Sequence, residues 1–241
     1  MTNLRFVMTG GPGAGKTTVL RALAARGYPH AAESARAIIQ ERLASGLSSR
    51  PPLAQFGHEI LQRDIARYRE TRATEHPVFF DRGIVDALGI LEEQHAMSLG
   101  EVEAYVQSFP YNTLVLLMPP WEAIYRTDSE CDQTFAEAVR VCESLRTWYA
   151  RWGYEPVEVP RMAMDRRVTF ILQTIEDALT KVRADWLLVF LDLWLCLANP
   201  PFFETSVGPT FESLVALIGF QGRHGPMLAS QLVFTGFLRG L

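Results

Sequence analysis

The stretch GGPGAGKT at residues 10–17 has the residue types and spacing of a phosphate-binding loop, G-x-x-x-x-G-K-[ST]. Its glycines would let the backbone turn so that the loop amides point at phosphate oxygens. Lys16 would contact the β- and γ-phosphates, and the Thr17 hydroxyl would ligate Mg²⁺. The predicted nucleotide-binding residues are Gly10, Gly11, Pro12, Gly13, Ala14, Gly15, Lys16, Thr17 and Thr18. The motif predicts a bound nucleoside triphosphate, ATP or GTP, and leaves the fate of its phosphate open.

Asp81 and Arg82 follow the apolar run PVFF and form a second chemically informative pair. Asp81 has three candidate roles: a Mg²⁺ ligand, a catalytic base, or the cap of the helix that follows. Ligands of parallel α/β sheets lie at the carboxyl ends of the strands, where Asp81 would stand. Magnesium ligation is therefore the favoured role, and Arg82 would stabilise the charge of a transferring phosphoryl group.

Glu33 ends another predicted strand in the stretch HAAESARAII. A carboxylate there could accept the proton of an acceptor hydroxyl, which makes Glu33 the better candidate for a base. Arg36, one helical turn later, would hold the acceptor or a phosphate. The alternative has equal weight: an acid that favours a helix N-terminus, beside an ordinary surface arginine.

A polar loop after the residues PPW contains Arg126 together with Asp128, Glu130 and Asp132. This composition is typical of a lid that excludes water from a phosphoryl-transfer site and brings in a cation. Arg126 is the predicted catalytic arginine of the lid. The alternative is a solvated surface loop without a catalytic role.

The predicted secondary structure explains how these residues would meet. Apolar runs predict five strands, at residues 4–9, 28–32, 78–80, 113–118 and 155–159. Helical periodicity predicts helices at residues 16–26, 33–43, 53–72, 84–96, 99–108, 134–152 and 165–181.

Gly27 is a candidate C′ glycine for the first helix. Ser98 with Glu101, and Thr134 with Glu137, predict capping boxes. Alternating strands and helices predict a parallel sheet covered on both faces.

The composition limits the class of protein. The chain has 241 residues, of which 48% are hydrophobic and 21% charged, as expected for a globular protein with a full core. The net charge of -4 gives no reason to expect nucleic acid as a partner. Three scattered cysteines and the absence of a signal-like leader predict a reducing compartment, the cytoplasm.

The last sixty residues differ from the rest. We expect a P-loop domain at residues 1–182 and a hydrophobic C-terminal extension of uncertain structure at residues 183–241. The run WLLVFLDLWLCLA at 186–198 is interrupted by Asp192 and is shorter than the roughly 20 apolar residues of a spanning helix. Packing against the main domain is favoured over membrane contact; an altered reading frame is a third interpretation.

Five stretches together resemble the NadR-like AAA-type ATP-binding proteins, and the layout is similar to that of deoxynucleoside kinases. They are FVMTGGPGAGKTT, GYPHAAESAR, FFDRGIVDAL, LMPPWEAIYRTDSE and WGYEPVEVP. The resemblance implies a kinase-like P-loop NTPase fold, a three-layer α/β/α arrangement with a five-stranded parallel sheet of order 2-3-1-4-5. It also implies ATP or GTP with Mg²⁺, and it places Glu33, Asp81 and Arg82 at the catalytic positions of the kinases.

The predicted function is that of a Mg²⁺-dependent kinase acting on a nucleoside-like or other small-molecule acceptor. The alternative is a nucleotide-hydrolysing regulatory switch or a nucleotide-binding protein without such an acceptor. The family pattern D-x-E-R in the lid favours the alternative slightly, because this chain has Cys131 in place of the arginine. Asp81, Arg82 and Glu33 favour the kinase.

Overall fold

The computed structural model describes residues 3–71, 76–125 and 134–198, with residue 183 and residues 185–198 described by their backbone only. The strands are β1 Arg5–Gly10, β2 His30–Ala31, β3 Val78–Asp81, β4 Leu114–Met118 and β5 Glu155–Glu158. The helices are α1 Lys16–Ala24, α2 Ser34–Ala44, α3 Leu53–Glu70, α4 Ile84–Glu93, α5 Leu99–Ser108, α6 Phe135–Arg151 and α7 Met164–Ala198, with a short 3₁₀ helix at Glu122–Ile124.

The five strands form one parallel sheet in the order β2-β3-β1-β4-β5. The predicted fold class and strand order are confirmed. In the register of β1 and β3, Met8 lies beside Asp81, so the carboxyl ends of the two strands meet at one edge. The phosphate-binding loop begins at the same edge, because Gly10 is the last residue of β1.

Side chains alternate between the two faces of the sheet and build two cores. Val7, Phe80 and Val115 pack on one face, where helices α2 to α6 cover the sheet. Phe6 and Phe79 pack on the other, where α1 and α7 cover it. Both faces of the three central strands are thus buried, which explains the nearly continuous apolar sequences of β1, β3 and β4.

Local signals placed several helix ends correctly. Ser98 and Thr134 accept hydrogen bonds from the amides of Glu101 and Glu137, as the predicted capping boxes require. Gly27 takes a φ of 88°, and its amide donates to Ala24 O at 2.9 Å, as a C′ glycine does.

Several elements differ from their predicted lengths, and for β2 and α7 the physical reason is clear. Strand β2 has two residues rather than five, because the amide of Tyr28 donates to Leu23 O at 3.1 Å and so belongs to the end of α1. Helix α7 does not end near residue 181 but continues to Ala198. Neither glycine nor proline occurs between Met164 and Ala198, so nothing in the local sequence breaks the helix.

The chain divides into two units, Met1–Thr180 and Lys181–Leu241. The first unit contains the whole sheet. Within the second unit, the structure describes α7 as far as Ala198. No helix within the described residues is long and apolar enough to cross a membrane. The predicted boundary between residues 182 and 183 stays a prediction.

Candidate active site

The phosphate-binding loop takes the backbone shape that its glycines permit. Gly10, Gly13 and Gly15 have φ values of 138°, 68° and 79°, in the region that L side chains rarely adopt. At Gly10 there is also no room, since a Cβ would collide with the carbonyl oxygen of Met118 in β4. Gly15 ends the loop directly before α1, which brings the N-terminus of that helix to the site.

Lys16 is buried at the start of α1, and its ammonium folds back onto the loop. Its Nζ donates to Gly10 O at 3.1 Å and to Gly11 O at 2.9 Å. Burial and the neighbouring Arg82 lower the pKa of Lys16 to about 8. A cation held this close to the loop amides is suited to bind phosphate oxygens.

Thr17 and Asp81 face each other from adjacent elements. The Thr17 hydroxyl donates to Asp81 Oδ2 at 3.4 Å, whereas Asp81 Oδ1 is buried without a partner in the described part of the chain. Burial raises the pKa of Asp81 against the opposing charge of Lys16. A buried carboxylate oxygen that lacks a partner, next to a hydroxyl, fits the oxygen ligands that Mg²⁺ prefers.

The described residues contain no group of three or more His, Cys, Asp or Glu side chains that could hold a metal ion. A Mg²⁺ site of two protein oxygens completed by phosphate oxygens and water is the usual arrangement beside nucleotides. Thr17 and Asp81 are the residues that would hold the ion here.

Arg82 has an uncommon backbone conformation for an arginine, with a φ of 66°. Its Nε donates to Glu33 Oε1 at 2.9 Å and its Nη1 donates to Asp86 Oδ1 at 3.3 Å. These carboxylates outweigh burial and raise the pKa of Arg82. The left-handed conformation of Arg82 thus accompanies a guanidinium that lies between two acids, Glu33 directly before α2 and Asp86 in α4.

Asp86 is a buried acid that sequence reasoning missed. It accepts hydrogen bonds from Thr9 Oγ1 at 2.5 Å, the Tyr149 hydroxyl at 2.5 Å and the Gly83 amide at 2.9 Å. The bond from Gly83 is the N-terminal cap of α4, so Asp86 and not Asp81 caps that helix. The available signal was its place three residues after the N-cap.

Glu33 immediately precedes α2 and points at Arg82. The charges of Arg82 and Lys16 outweigh burial and lower the pKa of Glu33, so it is ionised at neutral pH. Arg36 lines the same cavity from α2. Arg126, with Asp128, Glu130, Cys131 and Asp132 of the predicted lid, lies outside the described residues.

A cavity of about 1300 Å³ is shared by Lys16, Thr17, Glu33 and Arg82, whereas Asp81, which contacts Thr17, is not among its lining residues. Its lining includes the loop and the ion pair, namely Pro12, Gly13, Ala14, Gly15, Lys16, Thr17, Thr18, Glu33 and Arg82. The elements that follow β2 contribute Arg36, Ile39, Arg50, Leu53, Phe56, Ile60 and Asp64. The segments that follow β4 and β5 contribute Trp121, Ile124, Met162, Ala163, Met164 and Arg167. Because β2 and β5 are the two edge strands, we assign these two sets to opposite ends of the cavity. Among the predicted nucleotide-binding residues, Gly10 and Gly11 lie next to the cavity, and the others line it.

Asp64 is a second acid that the sequence did not single out. It accepts a hydrogen bond from Ser34 Oγ, to which Arg67 Nη1 also donates at 2.8 Å. Burial raises the pKa of Asp64 to about 7. The signal for it was a charge four residues after Ile60, on the buried face of α3.

The sequence of residues 5–167 matches a family of AAA domains. The chain belongs to that family. This AAA domain has no match among the curated proteins. The family match confirms the predicted AAA-type assignment, while the narrower NadR-like assignment stays a prediction.

Solved kinase structures are similar to the AAA domain at low identity. Deoxyadenosine kinase from M. mycoides, with products dCMP and a flexible dCDP bound, has 13% identity and a TM-score of 0.48, covering 72% of this chain and 99% of that one. Shikimate kinase from Acinetobacter baumannii, in complex with shikimate, has 17% identity and a TM-score of 0.44, covering 73% and 95%. Shikimate kinase from Aquifex aeolicus has 18% identity and a TM-score of 0.44, covering 73% and 98%.

Proposed function

We propose that this AAA domain is a Mg²⁺-dependent phosphotransferase that moves the γ-phosphoryl group of ATP or GTP to a hydroxyl of a small, nucleoside-like acceptor. The observation that carries the proposal is the meeting of three features at one sheet edge. They are the loop with Lys16 and Thr17, the Asp81 oxygen that lacks a partner among the described residues, and the ion pair of Glu33 with Arg82.

The proposed roles follow from charge and position. Lys16 and the loop amides would bind the β- and γ-phosphates, and Thr17 and Asp81 would hold Mg²⁺. Mg²⁺, when bound, neutralises phosphate charge. Arg82 would stabilise the charge that spreads over the γ-phosphoryl oxygens during transfer.

Glu33 is proposed as the group that accepts the proton of the acceptor hydroxyl. It is ionised at neutral pH, because Arg82 and Lys16 lower its pKa, so it is able to take up a proton. Its ion pair with Arg82 would also fix its orientation. The base and the charge-stabilising arginine would then be placed together for the same transfer step.

The end of the cavity beside Glu33 is the proposed acceptor site. Its walls include Ile39, Leu53, Phe56 and Ile60, which suit an apolar ring, and Arg36 brings a positive charge. An acceptor with a planar ring and a hydroxyl group matches this combination. Nucleosides and related ring compounds have both.

The test is a screen of nucleosides, nucleotides and their precursors for transfer of γ-³²P from labelled ATP or GTP, with Mg²⁺ present. We expect at least one labelled acceptor with the wild-type chain and a loss of about a hundredfold or more in Glu33→Gln. Glu41→Gln is the matched control, because Glu41 lies in α2, the helix that Glu33 precedes, in an exposed ion pair with Arg63. Equal activity in Glu33→Gln and Glu41→Gln would overturn the role of Glu33.

A nucleotide-hydrolysing switch is the second candidate. The observation that favours it is Cys131, at the position of the lid arginine in the family pattern described above. Hydrolysis of ATP or GTP without labelling of any acceptor in the same screen would support the switch.

A further inference from the structure

Arg167, in the first turns of α7, is buried beside the phosphate-binding loop although no carboxylate of the described residues pairs with it. It is 2% exposed and is the largest fully buried side chain of the described residues. Its Nη2 donates to Ala14 O at 3.0 Å and contacts Met118 Sδ at 3.6 Å, and its guanidinium lies 5.8 Å from the centre of the Trp121 ring. Its Nε has no hydrogen-bond partner within the part of the chain that the structure describes.

The other arginines with shifted pKa values have a different environment. Arg63, Arg82 and Arg146 each form an ion pair with a glutamate, and the pKa of each is raised. Burial lowers the pKa of Arg167, and no charge of the described residues offsets that effect. A buried charge is costly unless an opposite charge or a full set of hydrogen bonds compensates it.

The position of Arg167 indicates which anion would compensate its buried positive charge. Its Nη1 lies 3.1 Å from the position that a Cβ of Gly15 would occupy, so the guanidinium touches the loop. It lines the cavity together with Trp121, Ile124 and Met162, an apolar surface suited to a base. Of the charged groups of the described residues, including those around Lys16, none shifts its pKa.

We propose that Arg167 binds the phosphate chain of the nucleotide at its ribose end, between the loop and the apolar wall that would receive the base. The inference rests on the proposed function only for nucleotide binding at the loop. Lys16 would bind the terminal phosphates and Arg167 the phosphate next to the ribose. Nucleotide would then supply the negative charge that the described residues do not give to Arg167.

Calorimetric titration of wild type, Arg167→Met, Arg167→Lys and Lys16→Ala with ATP, ADP and GTP tests the proposal. We expect Arg167→Met to raise the Kd for all three nucleotides by the same factor, about ten- to a hundredfold, as for the loss of a charge-assisted contact. Lys16→Ala should lose nucleotide binding, because Lys16 would bind the terminal phosphates. Arg167→Lys should recover part of the loss because it keeps the charge. Arg166→Met is the matched control, because Arg166 is exposed next to Arg167, and it should bind like wild type.

Thermal unfolding separates binding from a structural role. Without nucleotide, Arg167→Met should melt no lower than wild type, because an apolar side chain replaces an uncompensated buried charge. With saturating nucleotide, its gain in melting temperature should be smaller than that of wild type.

Three results would overturn the proposal. One is an unchanged Kd in Arg167→Met. Another is a loss of affinity that is confined to nucleotides of one base or to ATP. The third is an Arg167→Lys variant that binds nucleotide as weakly as Arg167→Met does. If wild type binds nucleotide and Lys16→Ala does not, any of these three results rules out the role of Arg167 but does not contradict the proposed function. If wild type binds none of the three nucleotides, the result contradicts both the role of Arg167 and the proposed function.

Discussion

The Thr17 hydroxyl lies 3.4 Å from Asp81 Oδ2, which joins the start of α1 to the end of β3, while Asp81 Oδ1 has no partner among the described residues. Five positions later, Asp86 accepts bonds from Thr9, Gly83, Tyr149 and Arg82. The two acids of the stretch DRGIVD therefore have different roles. Asp86 links β1, α4 and α6 through its hydrogen bonds, whereas Asp81 retains an oxygen that can coordinate a ligand.

Arg82→Lys should separate catalysis from binding. A lysine cannot reach Glu33 and Asp86 together as the guanidinium does, and it offers one point charge in place of a planar fork. We expect the rate of phosphoryl transfer to fall about a hundredfold while the Kd for nucleotide changes little. Steady-state kinetics and calorimetry on the same samples measure both quantities.

Arg63→Lys is the matched control for that variant. Arg63 also makes a two-point contact with a glutamate, Glu41, but on the exposed surface. Its replacement should leave turnover unchanged. If Arg82→Lys and Arg63→Lys turn over at the same rate, Arg82 does not stabilise the transferring group.

Asp64→Asn should remove a pH dependence of stability. Burial raises the pKa of Asp64 to about 7 in the folded chain, with Asp86 and Glu33 raising it further and Ser34 and Arg67 opposing them. Between its unfolded pKa and about 7 the folded chain therefore holds a proton that the unfolded chain loses. The contribution of Asp64 to stability is complete below that window and is lost as the pH rises through it.

Urea unfolding of wild type and Asp64→Asn at pH 5 and pH 8 measures this effect. Wild type should lose about 2–3 kcal/mol more than the variant over that interval. Asparagine keeps an oxygen that can accept the bond from Ser34, so the comparison isolates the charge. Parallel pH profiles for the two proteins would show that Asp64 does not titrate in this range.

Gly10→Ala should damage the loop. A Cβ would meet the carbonyl of Met118, and a φ of 138° is unfavourable for alanine. We expect a loss of about 2–4 kcal/mol in the free energy of unfolding, together with weaker nucleotide binding. Gly100→Ala is the control, because Gly100 lies in α5 with nothing near its Cβ position. If the two alanine variants were equally stable, the geometry assigned to Gly10 would be wrong.

The parts of the site that the sequence predicted are those encoded locally or by strand order. The loop is a contiguous motif, and Glu33 and Asp81 were placed at one edge because parallel strands end together. The helix starts at Ser98 and Thr134 followed from residues three positions apart.

The parts that the sequence did not predict depend on contacts between distant residues. Asp86 is bonded to Tyr149, 63 positions away, and Arg167 to Ala14, 153 positions away, and no local pattern specifies either pair. The left-handed backbone conformation of Arg82 cannot be predicted from a single sequence either, because non-glycine residues rarely adopt it. Tertiary packing decides all three.

The most direct test of the phosphotransferase proposal compares wild type with Asp81→Asn and Lys16→Ala, measuring γ-phosphate transfer or release with Mg²⁺ and nucleotide affinity by calorimetry. We predict that Asp81→Asn loses about a hundredfold or more in turnover but still binds nucleotide, whereas Lys16→Ala loses binding. Full turnover in Asp81→Asn, or unchanged nucleotide affinity in Lys16→Ala, would contradict the assignment of this edge of the sheet as a phosphoryl-transfer site.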